Sequence, residues 1–204
     1  FATILFWIWN KISPSKLVDE MQIRTRSWWV MCFIFLFASL INPVVTYIAL
    51  GFLSFFTLRE IYSLLNLREM DRSVLFFCYI CIPIQYYLAF KGYYTLFLIF
   101  IPVFMFIIIP FLLVLTGETK DIIRSMCILP TSLMLGVFGI SHLALLISFP
   151  EMNTNGVSGK ALLLFLIFIT EANDIMQFVW GKIFGKTKIL PNVSPNKTWE
   201  GFIG

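Results

Sequence analysis

Apolar runs long enough to cross a bilayer recur along this chain, and they leave little room for any fold except a bundle of membrane helices. A spanning helix needs about 20 mostly apolar residues. Ser73 to Phe90, Tyr93 to Leu115, Cys127 to Phe149 and Lys160 to Trp180 each qualify. Of the 204 residues, 59% are hydrophobic and only 13% charged, where an ordinary soluble domain carries about 25% charge. The expected fold class is therefore all-α, a polytopic integral membrane protein with about six to seven spans. Pro83, Pro102 and Pro110 interrupt two of the runs. Membrane helices tolerate this where neighbouring groups satisfy the freed carbonyls, and kinks are expected there.

Ser27 to Leu58 is longer than one span requires. As one helix its 32 residues would measure about 48 Å, against a hydrocarbon core of about 30 Å. Asn42-Pro43 marks its middle, and a hairpin turning there gives two short spans, the second running on through Ile61, Tyr62, Leu64 and Leu65. Charge favours the hairpin. It puts Lys11, Lys16, Arg24, Arg26, Arg59, Arg68, Arg72, Lys120, Arg124, Lys182, Lys186, Lys188 and Lys197 on one side and leaves Lys91 and Lys160 on the other. Lys/Arg-rich links stay in the cytoplasm, so the Lys182 to Lys197 segment is expected there. The net charge of +4 is spread over short links between spans and forms no continuous patch, which argues against a nucleic-acid partner.

The chain starts at Phe1 inside an apolar stretch, Phe1 to Trp9, and ends at Gly204 inside what reads as a new apolar helix opening at Trp199. Residues 1–204 are thus expected to form a single transmembrane domain cut at both ends. Cys32, Cys78, Cys81 and Cys127 all lie in apolar runs, and the Cys78–Cys81 spacing has no second Cys or His pair to complete a zinc site. Buried packing is expected for them. The single His142 lies within a span without a His or Cys partner, and an interhelical hydrogen bond is the expectation for it.

Chemistry concentrates in the last span. Glu171, Asn173, Asp174 and Gln177 fall within an arc of about 160° at 100° per residue, with Ala172, Ile175, Met176 and Val179 on the opposite face. A carboxylate inside a span costs at least about 2.5 kcal/mol, so Asp174 needs a cation, a basic side chain or water. A hydrogen-bonding cluster between helices, or a span ending near Thr170 that leaves Asp174 in interfacial water, would also account for it. The loop that follows brings Lys182, Lys186, Lys188 and Lys197, a phosphate-friendly set beside a potential metal ligand. By charge alone, a positive-inside cluster attracted to anionic lipid head groups is the better explanation. Ser194-Pro195 has the form of a helix start, Ser as N-cap and Pro at N1, which would turn backbone N–H groups toward a phosphate.

Asn173-Asp174-Ile175-Met176, Gly181-Lys182-Ile183-Phe184-Gly185-Lys186 and Ser194-Pro195-Asn196-Lys197-Thr198-Trp199-Glu200-Gly201-Phe202-Ile203-Gly204 together resemble the middle of CDP-diacylglycerol synthases (phosphatidate cytidylyltransferases). The resemblance covers about 30 residues, with the family's spacing, and the earlier spans agree only in being membrane helices. Gln177-Phe178 stands where that family usually has Ala-Tyr. The resemblance implies an enzyme that transfers CMP from CTP to phosphatidate. It implies Mg²⁺ as cofactor, with Asp174 and Asn173 on the metal and Asp174 and Lys197 as the catalytic residues. Ser194 and Thr198 would hold the nucleotide or its phosphates, with Lys182, Lys186 and Lys188 as weaker contributors. The implied partners are CTP, phosphatidate and the lipid bilayer, and a homodimer is compatible with it. A bacterial cell membrane is favoured over the endoplasmic reticulum, with the site facing the cytoplasm. The family's later signature, carrying a second metal-binding Asp, is expected beyond Gly204, so the 204 residues alone are expected to be inactive.

Two other readings remain open on the residues. A transporter or channel would use Asp174, Asn173 and Gln177 as an intramembrane cation or proton site, but it leaves the Ser194–Gly204 block unexplained. A related CTP-dependent enzyme acting on another lipid phosphate or prenol is kept open by Gln177-Phe178.

Overall fold

The computed structural model describes residues 23, 26, 29–30, 33, 37, 42–65, 67–69, 71–148, 158–192 and 194–204. Among these, five helices are long and apolar enough to span a membrane: α1 (Pro43–Leu64), α2 (Asp71–Lys91), α3 (Tyr94–Leu115), α4 (Ile122–Ile147) and α5 (Gly159–Phe184). They are followed by a small antiparallel hairpin, β1 (Lys188–Leu190) and β2 (Ser194–Thr198), and a short helix α6 (Trp199–Ile203). The expected all-α polytopic membrane fold is what the chain adopts. Trp29, Val30, Phe33 and Phe37 are helical. The Phe1 to Trp9 stretch, the rest of the first hairpin leg and Cys32 lie outside the described residues.

The chain divides into two compact units, residues 37–163 and residues 1–36 together with 164–204. In the first, α1 starts where the sequence put the turn. Asn42 is the N-cap, its Oδ1 accepting the Val44 N–H at 3.0 Å, and Pro43 takes the first helical position, where its missing N–H costs nothing. The helix ends at Leu65, which is extended. Pro83 and Pro110 are carried inside α2 and α3, while Pro102 lies in a π-helical segment of α3, Phe100–Met105. A proline ring displaces the carbonyl four residues back, and widening to an i+5 pattern accommodates it. α4 has a second such segment, Met134–Gly139.

The core of this unit is made by Leu50, Leu58, Cys78, Phe97, Ile101, Ile109, Leu113, Leu129, Leu133 and Val137, all fully buried. Phe76, Ile107 and Phe111 point outward, as lipid-facing residues do. Lipid is as apolar as Leu, so close packing and internal hydrogen bonds must hold such helices together. Gly136 lets α4 approach α1: a Cβ there would lie 3.0 Å from Leu58 Cδ2. Tyr86 of α2 donates its hydroxyl to Leu50 O at 2.9 Å and lies 2.8 Å from Ser54 Oγ, and the Tyr62 hydroxyl of α1 lies 2.8 Å from Ser132 Oγ of α4.

Buried Asp71 receives Arg68 Nη2 at 2.7 Å and Ser125 Oγ at 2.6 Å, while Arg68 Nη1 donates to Glu118 O and Lys120 O. The α1–α2 and α3–α4 links therefore meet at one end of this bundle, as the charge pattern requires.

The hydrogen bond of His142 is within its own helix and not between helices as expected: its Nδ1 is 2.7 Å from Phe138 O, four residues earlier, while its ring packs edge-on against Phe138 and, across to α3, Phe97. Cys78 and Cys81 are buried as expected, but Cys127 is exposed. Ser125 and Leu129 turn inward, and a residue two positions from each falls on the opposite face of the helix.

Candidate functional site

α5 runs unbroken for 26 residues, about 39 Å, so the helix itself continues past Thr170 and carries Asp174 and Gln177. It stops at Gly185, whose N–H reaches Gly181 O at 3.2 Å. Any Cβ at Gly185 would run into that same carbonyl and lie 2.7 Å from Thr198 Oγ1, so the position suits only glycine. The chain then reverses through β1 and β2, with Lys188 opposite Thr198 and Leu190 opposite Ser194 and an irregularity between the two pairs. Pro191 and Asn192 form the turn. Pro195 has no N–H for a ladder, which a two-stranded edge with an irregular register permits.

Here the structure corrects one expectation. Ser194-Pro195 does not start a helix, because that segment is strand β2. The start lies four residues later, where Thr198 is the N-cap of α6 and its Oγ1 accepts the Gly201 N–H at 3.2 Å. Pairing with β1 holds residues 194–198 extended, and Thr198 is the next side chain able to cap.

The return of the chain brings α6 onto α5. A Cβ on Gly201 would lie 2.7 Å from Gly181 Cα and 2.9 Å from Gln177 O, and one on Gly204 would lie 2.8 Å from the Trp180 indole. Between the C-terminal half of α5, the hairpin and α6 is a cavity of about 580 Å³. It is lined by Asp174, Gln177, Phe178, Gly181 and Lys182 of α5, by Ile189, Ser194, Lys197 and Thr198 of the hairpin, and by Gly201, Phe202 and Ile23. The face marked by Asp174 and Gln177 thus continues one turn on into Gly181. Asp174 is exposed, and access to an open polar cavity is what a carboxylate near a membrane requires.

Of the residues the sequence singled out, Asp174, Lys182, Ser194, Lys197 and Thr198 share this cavity. Asn173, Lys186 and Lys188 are not among its lining, and Lys188 Nζ is engaged by Pro195 O. Lys182 Nζ lies 5.5 Å from the Phe178 ring centre. Thr198 is buried with its oxygen accepting from Gly201, which leaves its hydroxyl proton available to donate. Among the described residues no group of three His, Cys, Asp or Glu could hold a metal unaided. One cavity carboxylate, Asp174, fits an ion such as Mg²⁺, which takes one or two protein carboxylates and completes its shell with phosphates and water.

Glu200 was not marked by sequence reasoning. Its two carboxylate oxygens accept the backbone N–H groups of Lys186 and Thr187 at 3.1 Å each. Its own backbone N–H, with those of Lys186 and Thr187, holds its carboxyl down at about 2, against an ordinary 4.5. A Glu just after a Thr N-cap is a recognisable signal, but its partners thirteen and fourteen residues upstream are not readable from spacing.

Residues 22–204 match the Cytidylyltransferase family. Over its whole length the chain is 36% identical to the Escherichia coli (strain K12) protein named Uncharacterized protein YnbB, of which it spans 66%. Over 40 residues, 20% of this chain and 13% of the relative, it is 52% identical to Phosphatidate cytidylyltransferase of Chlamydia trachomatis. Over 71 residues, 33% of this chain and 16% of the relative, it is 38% identical to Phosphatidate cytidylyltransferase 2 of Homo sapiens. No solved structure matches it.

Proposed function

Because this chain belongs to the cytidylyltransferase family, we propose that it is part of an enzyme transferring CMP from CTP to phosphatidate, giving CDP-diacylglycerol and pyrophosphate. The observation that carries the reading is the cavity that gathers one carboxylate, Asp174, with two ammonium groups, Lys182 and Lys197, and two hydroxyls, Ser194 and Thr198. That donor set suits a polyphosphate. A cation or proton site alone would leave the hairpin residues without a task.

In the proposed reaction an oxygen of the lipid phosphate attacks the α-phosphorus of CTP. A new P–O bond forms there, and the bond from that phosphorus to the β-phosphate bridge breaks, releasing pyrophosphate. Lys197 and Lys182 would bind and orient the phosphates, and the Ser194 and Thr198 hydroxyls would donate to their oxygens. Asp174 would hold Mg²⁺, which when bound offsets the charge of the triphosphate and of the leaving pyrophosphate. Most of the rate gain is assigned to positioning a water-soluble nucleotide and a bilayer-held lipid at the end of one span. The positive-inside pattern puts that end in the cytoplasm, and a bacterial cell membrane is the proposed location.

The test is CTP-dependent formation of CDP-diacylglycerol from phosphatidate by the full-length protein in detergent with Mg²⁺. Asp174→Asn should cut turnover by about a hundredfold or more while the protein stays folded. No product from folded wild type would refute the assignment. Gln177 and Phe178, where the family pattern has Ala-Tyr, also line the cavity, and this favours one variation: a different lipid phosphate as acceptor. Competition between phosphatidate and other lipid phosphates separates the two.

A further inference from the structure

Glu200 does not line the cavity, yet it ties together the segment that does. The chain leaves α5 at Gly185 and returns at Trp199. Across this gap the Trp199 N–H donates to Thr187 O at 2.9 Å, and Glu200 Oε2 and Oε1 accept from Lys186 N and Thr187 N at 3.1 Å each. Lys188 pairs with Thr198 just inside this closure. The Lys186 and Thr187 N–H groups lie beyond the β1–β2 ladder, so the carboxylate supplies acceptors that the hairpin itself lacks. Bonds to a charged acceptor are about twice as strong as neutral ones, and these two close the base of the loop that carries Ser194 and Lys197. A Gln could offer only one oxygen, and its NH₂ would face an N–H donor.

We infer that Glu200 is a positioning residue: by clamping the Lys186–Thr187 turn it fixes the hairpin arm so that Ser194, Lys197 and Thr198 reach a nucleotide in the cavity. This rests on the reading of that cavity as the CTP site. Glu200 itself touches no substrate, so its removal acts on nucleotide affinity through the arm and leaves the lipid side unchanged.

The test uses the full-length protein as wild type, Glu200→Gln and Glu200→Asp, with two readouts. Backbone amide exchange at Lys186 and Thr187 should be slow in wild type and faster in Glu200→Gln. The KM for CTP should rise about tenfold in Glu200→Gln, with an unchanged KM for the lipid phosphate, and Glu200→Asp, which keeps the charge with a shorter reach, should fall between. Equal amide exchange in wild type and Glu200→Gln overturns the clamp. An unchanged KM for CTP, or a fall in kcat alone from loss of folded protein, overturns the positioning role. Wild type that turns over no CTP with any lipid phosphate overturns the CTP reading and the nucleotide role with it, whereas the amide-exchange result stands on its own.

Discussion

Gly201 and Gly181 touch backbone to backbone: a Cβ on Gly201 would lie 2.7 Å from Gly181 Cα and 3.0 Å from Gly181 N. The reverse is not true, because a Cβ on Gly181 meets nothing closer than Thr198 Oγ1 at 3.4 Å. Main-chain atoms cannot step aside as a side-chain tip can, so Gly201→Ala must push α6 off α5. It should cost about 1–3 kcal/mol of stability and weaken CTP binding, with Gly181→Ala costing much less. Thermal unfolding of both variants in detergent checks the asymmetry.

Lys197 lines the cavity, whereas Lys188 is held by Pro195 O outside its lining. Lys197→Ala should therefore lower CTP-dependent turnover about tenfold more than Lys188→Ala, the worth of one or two charge-assisted bonds to phosphate. Parallel assays of the two variants at equal expression decide this, and equal losses would place the phosphates differently.

The Glu200 carboxyl, held at about 2 by its own N–H and those of Lys186 and Thr187, titrates below its ordinary 4.5. A depressed carboxyl contributes its stabilisation fully above the unfolded value and loses it as pH falls through the folded one. The clamp should stay closed down to about pH 4.5 and weaken progressively from there toward pH 2. Carboxyl carbon shifts of Glu200 followed over that range read the titration, and a midpoint near 4.5 would contradict it.

Asp71 is fully buried and receives Arg68 at 2.7 Å and Ser125 at 2.6 Å. Removing Asp71 takes the acceptor from buried Ser125 and from part-buried Arg68, at roughly 1–3 kcal/mol. Asp71→Ala should lower the unfolding midpoint clearly, while Ser125→Ala, which leaves the ion pair intact, should cost about 1 kcal/mol. Denaturation of both variants in the same micelle tests the ranking.

Much of this architecture is legible in the linear chain because membrane burial acts on local runs. Asn42-Pro43 reads as a boundary and is one, since a side-chain cap and a proline at N1 are both local devices. The Asp174–Gln177 face reads as polar and opens on a cavity, since helical spacing fixes which side chains share a face. Ser194-Pro195 misleads for the complementary reason. It has the local form of a helix start, but strand pairing with Lys188–Leu190 captures it, and pairing is a contact between segments.

By itself, then, the sequence determined the all-α membrane class, the α1 boundary and the helix face that carries Asp174, all set by hydrophobic periodicity and capping within a few residues. Only the tertiary structure decided that Lys182 and Lys197 join Asp174 while Lys186 and Lys188 do not, and that Glu200 grips a turn thirteen residues upstream. Those outcomes depend on how the chain returns after Gly185, on glycine-permitted contact between α5 and α6 and on hydrogen bonds between distant backbone groups, and no spacing within one segment encodes them.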